Sequence, residues 1–514
     1  MAEGDTVGGG MLKTLLKGTT WQALGQFLPL IINLALTPYI IEGLGAKIYG
    51  IFLLINTIQL FMSSFDGGIG PSASRYFTLY AGREDAAATT RLLVTLLAIV
   101  LGTTTVVFGF FFLATPAIID FFPVTRPDPE GAAFLLRTMV VLVAMAQIRG
   151  LFAYVLFAEH KFAITTTTGL AGHVIYVIGL VWTIEGNHGL KGIALTFIVQ
   201  QLMATLAIIP AALKHLSRSG VGLLAWPDLK EFFGYSWKVQ FSSLLDMVSL
   251  QGDMLIVSKF AAVQQPQFGP GANFAQQLRM VPMNAFSPVQ AMLGRSVGGK
   301  GEAAAVADFA RIQRLWVLGV VGWVAVGAPA AYYGVTHWVK MGSSLPGLVS
   351  AVLLVGHLFY LIGIIQILWC LAVGRSDLEL KYGLIATGLN LSLTLLLVIR
   401  YGVVGTIVAT VVAQLVASIA LTLMMRRSLP HRAPSPWRQI PYDVAALAAS
   451  ISYLCVYGAQ MLVGNVVPTG PFALLLCGLA AAPAACVYAV LVIGPAELRS
   501  MVGRLVSGRI RLGR

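Results

Sequence analysis

Apolar runs of about 20 residues recur along the whole chain, and they limit its fold more than any other feature. A run of this length crosses about 30 Å of hydrocarbon as a helix, whereas strands of membrane barrels alternate polar and apolar residues. The 514 residues are 57% hydrophobic and 11% charged, which is too little charge to cover a soluble protein of this size. The sequence therefore predicts an all-α polytopic membrane protein.

Fourteen runs are predicted to be transmembrane helices. They occupy 17–40, 49–70, 91–114, 132–157, 162–184, 189–212, 231–261, 269–293, 309–335, 347–373, 380–399, 402–425, 442–464 and 470–493. The first run lacks a small-residue cleavage site, so it is predicted to be a retained helix and not a signal peptide. The four cysteines fall inside the runs without metal-like spacing, and we expect no metal site.

Basic residues are distributed unevenly between the two sides of the membrane. With the N-terminus inside, 24 of the 34 Lys and Arg residues fall in cytoplasmic segments and 5 in outer loops. This positive-inside pattern predicts that both termini are cytoplasmic. It also explains the net charge of +13 without a nucleic-acid partner.

The chain repeats itself at a nearly constant displacement. The segment "GLKGIALTFIVQQL" at 189–202 returns as "GVVGTIVATVVAQL" at 402–415, and "GREDAAA" at 82–88 returns as "GKGEAAA" at 299–305. Asn56 and Gln59 likewise correspond to Asn273 and Gln276. Each copy holds six runs, an even number, so both copies enter the membrane in the same direction and form a parallel repeat.

The repeat predicts two lobes that face each other across a seam at mid-membrane, where transporters hold their cargo. The predicted parts are a cytoplasmic segment 1–16, an N-lobe 17–212, an inter-lobe linker 213–230, a C-lobe 231–425, a second linker 426–441, two further helices in 442–493 and a basic cytoplasmic tail 494–514.

Polar residues inside the runs are the candidates for a cargo site, because a charge at the bilayer centre costs about 2.5–3.5 kcal/mol on insertion scales. Lys238, Asp246 and Asp253 share one face of the seventh run, and Gln22, Gln26 and Asn33 lie in the same register of the first. The predicted cavity residues are Gln22, Gln26, Asn33, Asn56, Gln59, Arg149, Lys238, Asn273, Gln276 and Arg279.

The candidate residues also have structural interpretations that involve no cargo. Single amides such as Gln26 can serve as hydrogen bonds between helices, and Asp66 in "DGGIG" can lie at a solvated helix end. His173 is interpreted as a neutral packed histidine. Five charged residues are too deep and too numerous for that role, and they favour a functional cavity: Arg149, Lys238, Asp246, Asp253 and Arg279.

A cavity of Arg, Lys, amides and hydroxyls suits an anionic cargo that forms hydrogen bonds. Asp66, Asp246 and Asp253 are predicted either to neutralise the cations of the empty site or to couple transport to H⁺ or Na⁺. The sequence leaves these two roles open. No cofactor is expected, and the chain lacks a GxxxxGK[ST] nucleotide-binding loop.

Three motifs, "GLGAKIYGIF", "DGGIGPSASRY" at 66–76 and "GRED" at 82–85, resemble those of bacterial polysaccharide flippases. These Wzx-like proteins form the polysaccharide-transport branch of the multidrug/oligosaccharidyl-lipid/polysaccharide (MOP) exporter superfamily. The resemblance covers nearly the whole chain, and it implies that runs 1, 2, 7 and 8 line the cavity. Its motifs are specific for the superfamily more than for a cargo.

The resemblance implies a transporter, not an enzyme, that moves undecaprenyl-pyrophosphate-linked oligosaccharide across the bacterial inner membrane by alternating access. Its implied partners are that lipid-linked substrate, membrane lipids, a polysaccharide polymerase and a chain-length regulator. Three alternatives remain: a lipid II flippase, a multidrug cation antiporter, and a membrane glycan polymerase or ligase. The last calls for a large outer loop with essential Arg or His, which is not found here.

Overall fold

The computed structural model describes residues 25, 28–64, 69–82, 84–159, 161–283, 289, 293, 296–297, 301–429, 433–463 and 470–493. Within these ranges the chain consists of helices joined by short connections, and it contains no strand. The predicted all-α class is confirmed. The helices are α1 (Leu28–Leu44), α2 (Ala46–Ser64), α3 (Ile69–Gly82), α4 (Ala86–Thr103), α5 (Gly109–Phe121), α6 (Pro129–Ala158), α7 (Phe162–Glu185), α8 (Gly189–Leu213), α9 (Trp226–Phe260), α10 (Gln265–Met283), α11 (Glu302–Trp338), α12 (Leu345–Ala372), α13 (Ser376–Ser428), α14 (Tyr442–Val463), α15 (Pro471–Ala480) and α16 (Ala482–Ile493).

Among the described residues, ten helical stretches are long and apolar enough to cross a membrane. Large apolar side chains are exposed on them, such as Leu113 at 81% and Leu462 at 90%, which suits contact with lipid and not with water. The protein is therefore a polytopic membrane protein, while the number fourteen stays a prediction. Helices α9 and α10 are not among the ten, because polar residues interrupt their apolar sequence.

The chain forms two compact units, a first unit Met1–Val263 and a second unit Gln264–Arg514. In the first unit α6 is the central helix, and it packs against α2, α3, α4, α5 and α8. Helix α9 also belongs to this unit, where it packs on α2 and α3. The lobes 17–212 and 231–425 inferred from the repeat stay a prediction.

Local signals fix where α6 begins. The side chain of Asp128 accepts a hydrogen bond of 2.9 Å from the backbone N–H of Gly131, and Pro129 occupies the first helical position. An Asp cap satisfies an N–H that the helix itself leaves unpaired, and proline loses nothing at that position. This cap sets the register of the 30 residues that follow.

In the second unit the central helix is α12, which packs against α10, α11 and α13. Its core includes a stacked pair, Phe309 and Trp369, whose ring centroids are 4.7 Å apart. Trp316 donates a hydrogen bond of 2.8 Å from Nε1 to the carbonyl of Leu361 and so joins α11 to α12. Helix α11 in turn packs against α14 and α15.

The repeated glycine motif has the same backbone conformation in both copies. Gly189 and Gly402, which the repeat predicts to be equivalent, both have φ of 57°, a left-handed conformation that glycine adopts without steric cost. Gly402 breaks α13 into two helices. A Cβ on Gly192 would meet the side chain of Thr183, and one on Gly405 would meet the carbonyl of Leu397. One glycine turns the chain and the next allows close packing, so the structure supports the predicted repeat.

Gly347 is expected to be intolerant of even one methyl group. A Cβ at this position in α12 would meet the backbone carbonyl of Tyr332 and Oγ1 of Thr336 in α11, and a backbone carbonyl moves only with its helix. We expect Gly347→Ala to lower the free energy of unfolding by about 1–3 kcal/mol, measured as a fall in melting temperature in detergent.

The matched control is Gly388→Ala, since a Cβ at Gly388 in α13 would have no atom within 4 Å. That variant should be as stable as the native protein or gain up to about 1 kcal/mol of helix propensity. Equal melting temperatures for the two variants would contradict the close packing of α11 on α12.

Candidate functional site

Arg149 lies on α6 beside α7 in the first unit. One of its terminal nitrogens, Nη2, is 3.8 Å from the position that a Cβ on Gly169 would take. A methyl group at Gly169 would be in ordinary van der Waals contact with the guanidinium, so Arg149 lies against this part of α7. His173, one turn further along α7, is close enough to Arg149 for an electrostatic interaction.

In the part of the chain that the structure describes, no carboxylate lies within ion-pair distance of Arg149. Its side chain is half-buried, in a helix of 30 residues that is otherwise mostly apolar. A cation in that setting is costly unless it meets water or an anion. Arg149 can therefore bind an anionic group with paired donors.

Arg279 lies on α10 in the second unit, and its side chain is 6% exposed. Its guanidinium carbon is 4.9 Å from the centre of the Tyr360 ring on α12. His357 on α12 and Tyr382 on α13 interact electrostatically with it. The face of an aromatic ring attracts a cation by about 0.5–2 kcal/mol, more strongly where water is excluded, so the ring holds the guanidinium in place.

A second polar contact supports this arrangement. The hydroxyl of Tyr382 donates a hydrogen bond of 3.2 Å to Oε1 of Gln414, both on α13, across the break at Gly402. A Cβ on Gly363 would come within 3.0 Å of that same hydroxyl, so the glycine lets the tyrosine pack against α12. Arg279, Tyr360, His357 and Tyr382 thus form a cluster, which we call the Arg279 cluster.

Of the predicted amides in the described part of the chain, two lie on α10 with Arg279 and the others lie on α1 and α2. Asn56 and Gln59 on α2 are half-buried. On α10, Asn273 is exposed, and Gln276 is half-buried and lies three residues before Arg279, on a neighbouring position of the helix surface. Asn33 on α1 is exposed. In the described part of the chain, no hydrogen bond joins the side chains of Asn56, Gln59 and Arg149.

The remaining predicted site residues are placed only in part. Gln22, Gln26 and Asp66 lie outside the described residues. Lys238 and Asp246 lie within α9, whose helical backbone is described there without their side chains. Asp253, further along α9, is 8% exposed. A single cavity formed by all these residues stays a prediction.

The partners of Arg279 are not among the predicted site residues. His357 and Tyr360 lie in the predicted run 347–373, and Tyr382 lies in the run 380–399. A signal was present, because His357 and Tyr360 are three residues apart and so occupy one face of a helix. Two polar aromatic residues on one face of a membrane helix are a reason to look for a charged partner.

The chain belongs to the class of polytopic helical membrane proteins, and its fold is similar to that of solved MOP superfamily transporters. A multidrug resistance MATE family transporter in an inward-facing conformation matches with a TM-score of 0.62 at 15% identity, over 80% of this chain and 97% of its own. The lipid II flippase MurJ in an inward closed conformation has a TM-score of 0.62 at 14% identity, over 95% of this chain and 100% of its own.

A third match is a MOP superfamily transporter from Pyrococcus furiosus, described as having a binding pocket of reversed polarity. Its TM-score is 0.52 at 15% identity, over 80% of this chain and 93% of its own. No family model and no curated protein sequence matches the chain. At these identities the matches establish the fold. The coverage also shows that the MurJ fold extends over more of this chain than the MATE fold does.

Proposed function

We propose that this protein is a flippase that moves an undecaprenyl-pyrophosphate-linked oligosaccharide across the bacterial inner membrane for the synthesis of surface polysaccharide. The observation that carries the proposal is Arg149, a cation within a spanning helix with no acidic partner among the described residues. Such a cation suits the pyrophosphate of a lipid-linked glycan, which presents oxygens to the paired donors of a guanidinium.

Arg279 supports the same cargo class. It places a second guanidinium, 6% exposed, beside tyrosine and histidine side chains of α12 and α13. Aromatic rings and amides also suit the faces and hydroxyls of sugars. A multidrug antiporter for organic cations needs the opposite charge in its site, so the two arginines argue against that alternative.

Lipid II is the second candidate cargo, and one observation favours it. The MurJ match covers 95% of this chain, against 80% for the MATE and Pyrococcus furiosus transporters. Lipid II also carries a pyrophosphate, so the same arginines suit both cargos. Competition between the two cargos measures which glycan the protein prefers.

Coupling to H⁺ or Na⁺ belongs to the proposal. Asp253 is a buried acid on α9, and Asp246 lies seven residues before it, two turns away on the same face. A carboxylate whose pKa rises on burial takes up a proton, and one that keeps its charge binds a metal cation. Removing the proton gradient should slow transport in the first case, and removing sodium in the second.

The proposal is tested with the purified full-length protein in proteoliposomes. Fluorescent lipid-linked oligosaccharide, fluorescent lipid II and an organic cation are supplied separately, and the rate at which each reaches the opposite face is measured. We expect the oligosaccharide to move at least about tenfold faster than in protein-free liposomes. Faster transport of lipid II than of the oligosaccharide would favour the second candidate, and transport of the cation alone would contradict both.

A further inference from the structure

Three arginines line one cavity at an end of the second unit, away from the Arg279 cluster in sequence. Arg311 and Arg314 are three residues apart on α11, and Arg438 lies in the short 3₁₀ turn Pro436–Gln439. The cavity has a volume of about 660 Å³, which is within the range of small-molecule sites. We call it the arginine pocket.

The wall of the arginine pocket is amphipathic. Besides the three arginines it includes apolar side chains of α11, α14 and α16, among them Leu318, Val444 and Val492. Leu318 and Val492 also line an apolar groove of about 720 Å³, so the two spaces share a wall. The three arginines therefore lie beside a groove whose apolar wall suits an apolar chain.

No acidic residue in the described part of the chain neutralises the three arginines. Among the described residues no Asp or Glu lines the arginine pocket, and none lies within ion-pair distance of Arg311, Arg314 or Arg438. All three side chains are exposed. Their charges are thus available to an anion from outside the chain.

The segment that carries Arg438 is fixed on the helices. Buried Gln313 on α11 donates hydrogen bonds from Nε2 to the carbonyl of Pro434 at 2.8 Å and to Oε1 of Gln439 at 3.3 Å. Trp437 donates from Nε1 to Oγ1 of Thr422 on α13 at 3.1 Å. Since the turn is held from both sides, Arg438 lies beside α11 before any ligand binds. The protein therefore loses little conformational entropy on binding.

The apolar side of the pocket is equally well defined. The hydroxyl of Tyr488 on α16 donates a hydrogen bond of 2.8 Å to the carbonyl of Leu318. A Cβ on Gly322 would meet the ring of Tyr488, so the glycine allows α16 to approach α11 closely. The groove beside the arginines is thus a feature of packed helices.

We propose that the arginine pocket binds one anionic phospholipid of the cytoplasmic leaflet, with its phosphate on the arginines and an acyl chain along the apolar groove. The positive-inside pattern predicts that this end of the protein faces the cytoplasm, and basic pockets between membrane helices on that side bind anionic head groups. The bound lipid is distinct from any transported cargo, so the proposal does not depend on the flippase function.

The test measures lipid binding to the full-length protein by native mass spectrometry in detergent. The probes are palmitoyl-oleoyl phosphatidylglycerol, phosphatidylcholine with the same chains, and glycerol 3-phosphate. The triple variant Arg311→Gln/Arg314→Gln/Arg438→Gln should bind phosphatidylglycerol about 100-fold more weakly, since each basic residue at a membrane surface contributes about 1 kcal/mol. Native protein should prefer phosphatidylglycerol to phosphatidylcholine at least about tenfold.

The matched control is Arg91→Gln/Arg218→Gln/Arg427→Gln, which removes the same charge from three exposed arginines that do not line the pocket. Its affinity for phosphatidylglycerol should stay within about threefold of the native value, in line with the small contribution of isolated surface charges. Equal weakening by both triple variants would overturn the proposal, because binding would then depend on net charge. Displacement of the lipid by equimolar glycerol 3-phosphate, or by a polyprenyl diphosphate, would also overturn it.

Discussion

Arg149→Gln is expected to lower the transport of lipid-linked oligosaccharide about 100-fold, since charge-assisted hydrogen bonds contribute about 1.5–3 kcal/mol each. The guanidinium lies beside Gly169 with no carboxylate partner among the described residues, so its removal leaves no buried acid uncompensated. We therefore expect the variant to fold, with a melting temperature near that of the native protein. The measurement is the initial rate of headgroup translocation in proteoliposomes.

Arg137→Gln is the matched control, because Arg137 is on the same helix but is exposed and lies 5.4 Å from the ring of Phe112. That variant should transport within about twofold of the native rate, as expected for an isolated surface charge. Arg149→Lys keeps the charge but loses the planar pair of donors, so about tenfold loss is expected. Equal rates for Arg149→Gln and Arg137→Gln would contradict a role for Arg149 in binding the anion.

The bounds of two helices could be predicted from the sequence with small errors. The run 162–184 corresponds to α7, Phe162–Glu185, and the run 189–212 to α8, Gly189–Leu213. In both cases a turn of glycine and polar residues ends the apolar run. Composition is enough to predict these two helices, because the lipid requires every backbone N–H and C=O of a span to be paired within a helix.

Helix lengths beyond the apolar runs were less predictable. Helix α11 extends over Glu302–Trp338, where the run was 309–335, and α9 starts at Trp226 instead of 231. The added turns are polar or amphipathic, so hydropathy does not detect them. Pro227 in the first turn of α9 is the local signal that marks its start.

The charged residues of the site could be predicted from the sequence, but their contacts could not. Depth in an apolar run was enough to select Arg149 and Arg279, because a charge within a membrane has a functional or structural reason to be there. The ring of Tyr360 against Arg279 depends on how α10 packs on α12. Gly271 of α10 allows the close approach of the two helices, since its Cβ would meet the carbonyl of Pro346. Periodicity within one helix does not reveal it.

Arg279→Gln is the second change with a large expected effect, about 100-fold lower transport by the same hydrogen-bond energies. Arg279 is 6% exposed and lies 4.9 Å from the Tyr360 ring, so the charge is desolvated and acts strongly on a bound anion. Arg279→Lys should recover part of the rate, because the ammonium keeps the charge. Transport is measured as for Arg149, with the folded fraction determined by size-exclusion chromatography.

Two variants of Tyr360 show whether its ring positions Arg279 or has a purely structural role. Tyr360→Phe keeps the ring face and should transport within about twofold of the native rate, whereas Tyr360→Leu removes the cation–π contact and should lose about tenfold, for an interaction near 1–2 kcal/mol. If the ring positions Arg279, the loss in Tyr360→Leu appears mainly as a raised KM for the lipid-linked substrate, since anion binding weakens while the helices still move. A variant that is merely destabilised would instead show a lower folded fraction with an unchanged KM. The same kinetics in Tyr360→Leu and Tyr360→Phe would mean that the aromatic face does not hold the arginine for its anion.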